Sequence, residues 1–211
     1  MHDFPTIGNI QKRQGAYLPH WRADDASYFV TFRLAGSLPS SVMHEIEFSR
    51  KDILQTADYV KRSLSNHEIA QLEELHFREL DMLRIERGAC FLKDDRIAKV
   101  VADTFGHFDH ERYQLFAWSI MSNHVHVVFR PFPDWDASDI LHSWKSFTAH
   151  AANKILKRTG PFWQKEPYDH LIRNEDDLQR CIDYTWSNPD KAGLKEWKWR
   201  WKIKATPAEH S

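Results

Sequence analysis

Residues 112–121, RYQLFAWSIM, and 124–132, HVHVVFRPF, are two runs of β-forming residues with only Ser122 and Asn123 between them. A two-residue connection between such runs predicts a tight hairpin. Whatever fold this chain adopts has to be arranged around that pair of strands.

The flanking sequence supplies what can pack on it. Tyr28 to Gly36, YFVTFRLAG, reads as an earlier strand ending in the turn-and-cap cluster GSLPSS. Two helical stretches follow, SSVMHEIEFSRKDIL and SNHEIAQLEELHFRELDMLRIERG. The second has a capping box, Ser65 with Glu68, an apolar stripe at Leu72, Leu75, Leu80 and Leu83, and a stop at Gly88. Residues 40–88 are therefore expected to form an inserted helical arm. A further helix is predicted over DDRIAKVVADTFGHF, with Ile97, Val100, Val101 and Phe105 at helical spacing. After the hairpin come the helix ASDILHSWKSFTAHAANKILKR, a short strand YDHLIRN and the helix EDDLQRCIDYTWSN. Asn174 is placed to cap this last helix and Pro189 to help end it. The order predicts an α+β fold, a ferredoxin-like antiparallel sheet with helices packed on one face. At 211 residues it is expected to be a single domain carrying the arm.

Alternation along a strand puts His124 and His126 on one face, with Val128 beyond them, and turns Val125, Val127 and Phe129 to the other. Two neutral imidazoles side by side can hold one divalent cation, given a third ligand and open positions for substrate. A hydrogen-bonded pair on a solvated sheet face is the alternative. In the last helix Tyr184 and Asn188 are four apart, one turn from each other, on the flank of the stripe Leu178, Cys181, Ile182 and Thr185. Asn188 offers a carbonyl oxygen suited to Mg2+ or Mn2+, and Tyr184 a phenol that can attack a phosphodiester.

Composition removes other classes. No stretch approaches the length of a membrane span, and the N-terminal MHDFPTIGNIQKRQ has no apolar export core, so a cytoplasmic protein is expected. Two cysteines, Cys90 and Cys181, argue against a disulfide framework or a cysteine zinc site. A net charge of -1 means that any nucleic-acid partner has to be held by a local basic surface.

The ordered motifs MSNHVHVVFRP and FWQKEPYDHLIRNEDDLQRCIDYTWSNPDKAGL, with YFVTFRLAGSLP and SWKSFTAHAANK, resemble the REP-associated tyrosine transposases. These are a branch of the single-tyrosine HUH endonucleases, named for histidine, a hydrophobic residue and histidine. The resemblance spans most of Tyr28 to Leu194 and less of the arm. It implies that His124, His126 and Asn188 are metal ligands and that Tyr184 is the nucleophile. Many relatives place glutamine at the third ligand position; the shorter asparagine would need its helix closer to the strand. The resemblance further implies Mg2+- or Mn2+-dependent cleavage and joining of single-stranded DNA through a 5′-phosphotyrosine link. The implied partner is hairpin DNA of repetitive extragenic palindromes, held by a monomer or homodimer that is nucleoid-associated when bound.

Lys145, Arg173 and Arg130 are expected phosphate contacts. The C-terminal KEWKWRWKIK, as a strand, would place Trp197, Trp199 and Trp201 on one face and Lys198, Arg200 and Lys202 on the other. That pattern suits single-stranded nucleic acid, or equally an edge strand whose tryptophans cover the core. A histidine-triad nucleotide hydrolase would need a third histidine where Val128 stands. A non-catalytic palindrome or single-stranded DNA-binding protein would have no need of Tyr184 beside Asn188.

Overall fold

The computed structural model describes residues 11–14, 19–22, 26–59, 62 and 64–204. Its centre is a five-stranded sheet of β3 (Ser27–Arg33), β4 (Tyr113–Ile120), β5 (His124–Pro131), β6 (Tyr168–Ile172) and β7 (Arg200–Lys202), in the order β6-β3-β5-β4-β7. Every neighbouring pair is antiparallel. The hairpin predicted from the sequence is β4–β5, closed by Met121 to Asn123, with the Met121 amide bonded to the His124 carbonyl at 2.8 Å. A separate two-stranded ribbon, β1 (Gln11–Gln14) with β2 (Pro19–Arg22), lies in a region the sequence reading left without strands.

The helices are α1 (Ser40–Tyr59), α2 (Asn66–Arg84), α3 (Asp95–His107), α4 (Ala137–Leu156) and α5 (Glu175–Lys191). With α3 and α4 as crossovers, the strand order β6-β3-β5-β4 is that of a ferredoxin-like sandwich. Tyr28, Val30 and Phe32 of β3 and Val125, Val127 and Phe129 of β5 pack under α3 and α4, against Val101, Phe105, Leu141 and Trp144. The expected single covered face is met by these two helices alone. On the opposite face Phe29, Phe116, Ala117, Val128 and Ile172 receive Leu178 and Ile182 of α5. Covering both sides explains why all of β3 is buried, its polar Ser27, Thr31 and Arg33 included. A bulge between Leu115 and Ala117 lets consecutive residues Phe116 and Ala117 both serve the α5 face.

Helix α2 begins with the predicted capping box, Ser65 and Glu68 each satisfying the other's backbone amide, and ends at Arg84, four residues before Gly88. Leu54 and Ala57 of α1 meet Leu64 and Leu72. The arm does not stand free: Glu79 of α2 takes Arg33 of β3 at 2.5 Å and Arg50 of α1 at 2.6 Å, all three side chains buried. Asn174 caps α5 by accepting from the Asp177 amide at 2.8 Å. Pro189 lies inside α5, which runs on to Lys191 instead of stopping.

Candidate active site

The cross-strand register Thr31–His126–Ser119 runs through the α5 face of the sheet. His126 Nδ1 lies 2.8 Å from Thr31 Oγ1, and His124 Nδ1 lies 2.7 Å from Asn123 Oδ1. Both Nδ1 atoms being engaged, the two Nε2 atoms face each other at 3.2 Å. With imidazole–metal bonds of about 2.1 Å, that spacing subtends about 100° at a shared ion, an ordinary ligand angle. Asn123 and Thr31 thus do for these rings what outer partners do for metal-binding histidines: both set the aim, and the Asn123 oxygen, which can only accept, also sets the tautomer of His124. The solvated alternative is excluded, since His124 and His126 are 2% and 0% exposed. Burial, followed by the nearby Arg84, pushes His124 down to about 3; burial and the neighbouring His124 and His76 also hold His126 well below its usual range. Both rings stay neutral, the state a ligand needs.

Helix α5 brings Tyr184 and Asn188 onto this face. The Tyr184 ring meets that of His126 edge-on, centroids 5.4 Å apart, and packs against Phe29 at 5.7 Å. Asn188 is 1% exposed, yet neither its Oδ1 nor its Nδ2 has a hydrogen-bond partner among the described residues. The Tyr184 hydroxyl, Thr185 Oγ1 and Ser119 Oγ are buried and unpartnered as well. Buried polar atoms normally find partners, so orphans on the two elements flanking a converging histidine pair point to a missing group that takes oxygen and nitrogen ligands. The donor set of two imidazoles and an amide carbonyl fits a divalent cation. Burial raises the Tyr184 phenol above its ordinary value, opposed by Arg84 and Asn188, although neither has hydrogen-bond geometry to it.

Sequence reasoning missed what α2 does here. Its Phe77 meets Tyr184 edge-on at 6.5 Å, its Leu80 and Leu83 pack with Tyr184, and the Leu83 carbonyl accepts from Asn123 Nδ2 at 2.8 Å. His76 stacks on Tyr168 with centroids 3.5 Å apart and leaves both ring nitrogens unpartnered and buried. No local motif at position 76 could have signalled this. Of the described residues, His170, Asp177 and Cys181 form another grouping of metal-ligating types. There Asp177 already accepts from His170, Arg180 and the Arg173 amide, and burial pushes the Cys181 thiol up to about 12, which leaves little for an ion.

The expected DNA contacts are dispersed. Arg130 shares the histidine face but lies four residues along β5, about 13 Å from His126, and donates to Gln114 at 2.8 Å. Arg173 is exposed just before α5. Lys145 is on α4, across the sheet, donating to the carbonyls of Gln164 and Lys165 at 2.8 and 2.7 Å. At the C-terminus Arg200 to Lys202 pair with β4, and backbone bonds from Ile120 to the Trp199 carbonyl and from Ile203 to the Phe116 carbonyl flank them. The Trp197 indole donates to the Ile120 carbonyl and that of Trp199 to Asp95, so these two rings anchor the edge and only Trp201 is open among the three.

Known proteins similar to this chain are of one kind. Residues 84–178 match the family model "Transposase IS200 like". A "Putative REP-associated tyrosine transposase" of Haemophilus influenzae (strain ATCC 51907 / DSM 11121 / KW20 / Rd) is 28% identical over 104 residues, 42% of this chain and 58% of that protein. The chain thus spans just over half the length of that curated relative. A solved structure, "Structure of the REP associates tyrosine transposase bound to a REP hairpin", aligns with a TM-score of 0.47 and 17% identity, covering 90% of this chain and 81% of the other.

Proposed function

This chain is a relative of the REP-associated tyrosine transposases through an IS200-like transposase segment at residues 84–178, and on that premise we propose that it cleaves and rejoins single-stranded DNA beside hairpins of the repetitive-palindrome kind. The observation that carries this reading is the Tyr184 ring set edge-on against His126, whose Nε2 lies 3.2 Å from that of His124, with the buried amide of Asn188 unpartnered one turn along the same helix. A purely DNA-binding protein has no use for a buried nucleophile set against unsatisfied ligand atoms.

His124, His126 and Asn188 would hold the ion, Mg2+ or Mn2+. A divalent cation in that position supplies charge stabilisation to the phosphate oxygens as the reaction proceeds. Tyr184 is the attacking group: its phenolic oxygen forms a bond to phosphorus while the bond from phosphorus to the 3′ oxygen breaks. The phenol proton leaves with a base or water, and the departing oxygen takes up a proton to become a 3′-OH. Arg84 eases the first loss by favouring the phenolate over the buried phenol. The product is a 5′-phosphotyrosine that keeps the energy of the broken ester, so a second 3′-OH can reverse the step and join strands without a nucleotide cofactor. Tyr184 meets His126 of its own chain, which supports a site complete within one protomer.

The test is direct. The protein is incubated with labelled single-stranded DNA carrying a hairpin and flanks, with Mn2+, and resolved under denaturing conditions. A covalent adduct is expected from the wild type and not from Tyr184→Phe, with DNA binding retained in both. His124→Ala should likewise bind without forming an adduct. Failure of the wild type to form any adduct across palindromes of the source genome would leave the non-catalytic binding reading in its place.

A further inference from the structure

Across the sheet from the histidine pair, α4 and the segment from residue 159 to residue 167 enclose a groove of about 1030 Å3. Its floor and inner wall are apolar, with Tyr28, Leu141, Ala149, Phe162, Trp163 and Pro167. Its cationic groups are Lys145, Lys154, Lys157, Arg158 and Lys165, against the carboxylates Asp136 and Asp169. Lys154, Lys157 and Lys165 are exposed and form no ion pair with the described residues. Lys145, which burial lowers to about 8, is spent on the two backbone carbonyls that tie the far wall to α4. In a chain of net charge -1 this local excess of positive charge favours an anionic ligand.

We propose that this groove binds the single-stranded DNA flanking a hairpin, its bases lying on the apolar floor and its phosphates along Lys154, Lys157 and Lys165. The stripe from His142 to Lys157 is about 22 Å long at helical rise, room for a short run of nucleotides. A trough with an apolar floor suits unpaired bases, whereas a duplex turns its bases inward and offers only phosphates. Gln164 lines the groove and also the small cavity beneath the arm that Thr31 and His76 share. The assignment rests on the DNA reading above and adds where the unpaired strand is held.

The double variant Lys154→Gln/Lys165→Gln removes one charge from each wall without touching a buried group. Fluorescence anisotropy of the full chain against a hairpin with single-stranded flanks should show about a 10-fold loss of affinity. The slope of log K on log salt should become shallower by about 1.4, for two phosphates of a single strand. A blunt hairpin should bind the variant as it binds the wild type, and adduct formation at saturating DNA should persist. Equal loss on both DNAs, or no loss on either, overturns the proposal. An absent adduct with the wild type defeats the catalytic reading and leaves this binding comparison intact.

The sealing of the histidine face is a separate observation. His124, His126 and Asn188 are at most 2% exposed, so no phosphate can reach them while α2 packs its Leu80 and Leu83 against Tyr184 and its Leu83 carbonyl holds Asn123. From this we infer that the arm is a lid that lifts to admit DNA, with the Glu79 pairs to Arg33 and Arg50 as its latch. Hydrogen exchange read by mass spectrometry, with adduct formation followed in the same samples, tests it. Amides of residues 72–84 should exchange at least several-fold faster when flanked hairpin DNA and Mn2+ are added, while those of β5 do not. Adduct formation with α2 exchange unchanged or slowed overturns the lid.

Discussion

Thr31 Oγ1 stands 2.8 Å from His126 Nδ1, joining residues 95 positions apart in the chain. That contact determines which nitrogen of His126 is left to face His124. Replacing Thr31 with valine keeps the shape and removes the oxygen. Mn2+ affinity, measured by calorimetry, is expected to fall by about 10- to 100-fold, the usual cost of losing such a partner. Metal-free DNA binding should not change.

Asn188→Leu should separate function from stability. The native amide is buried with no partner among the described residues, so a leucine of similar volume loses no hydrogen bond there and relieves two unsatisfied groups. Stability in denaturant melts should be unchanged or higher by up to about 1 kcal/mol. Adduct formation should drop at least 10-fold.

The donor set also ranks the ions. Imidazole favours transition metals, while an amide carbonyl suits Mg2+ and Mn2+, so of these two ions Mn2+ is the better match to the mixed set. Adduct formation titrated against each ion should saturate at a lower concentration of Mn2+ than of Mg2+. The reverse order would point away from two imidazole ligands.

Buried histidines make stability sensitive to acid. Burial holds His76 and His124 near 3 in the folded protein, whereas an unfolded chain protonates them near 6.5. Between those values the unfolded state binds more protons, so their contribution is complete above about pH 6.5 and is lost as pH falls toward 3. His76→Phe keeps a ring against Tyr168 and removes one titrating site. Urea melts at pH 4 to 6 should show the dependence of stability on pH shallower by about 1.4 kcal/mol per pH unit than in the wild type.

Gly88 joins the arm to the sheet where no side chain fits. A Cβ there would lie against the backbone carbonyl oxygens of Gly36 and Ser37, and Ala89 already donates to the Gly36 carbonyl at 2.9 Å. Gly88→Ala should cost about 1–3 kcal/mol or more in denaturant melts, because backbone cannot yield as a side chain can.

Much of the site could be read in the chain because its parts are local. The two-residue strand period placed His124 beside His126, and the helical turn placed Tyr184 beside Asn188. The Ser65–Glu68 box and the Asn174 cap were equally legible, each being a contact within three residues. The misreadings are of another kind. Pro189 does not end α5, since the packing of that helix outweighs a single lost amide. For Trp197 and Trp199 the sequence left stacking and a structural edge role equally open, and partners far away in the chain, Ile120 and Asp95, decide for the second. Lys145, read as a phosphate contact, is taken up by two carbonyls about 20 residues on.

The sequence by itself determined which side chains would be neighbours within an element, because strand and helix periods are set by backbone geometry alone. Only tertiary structure decided that α5 covers the histidine face, that Thr31 and Asn123 aim the two imidazoles, and that the arm closes over them. Those outcomes depend on cross-strand register and on which apolar faces find each other, interactions between residues tens of positions apart that no local spacing encodes.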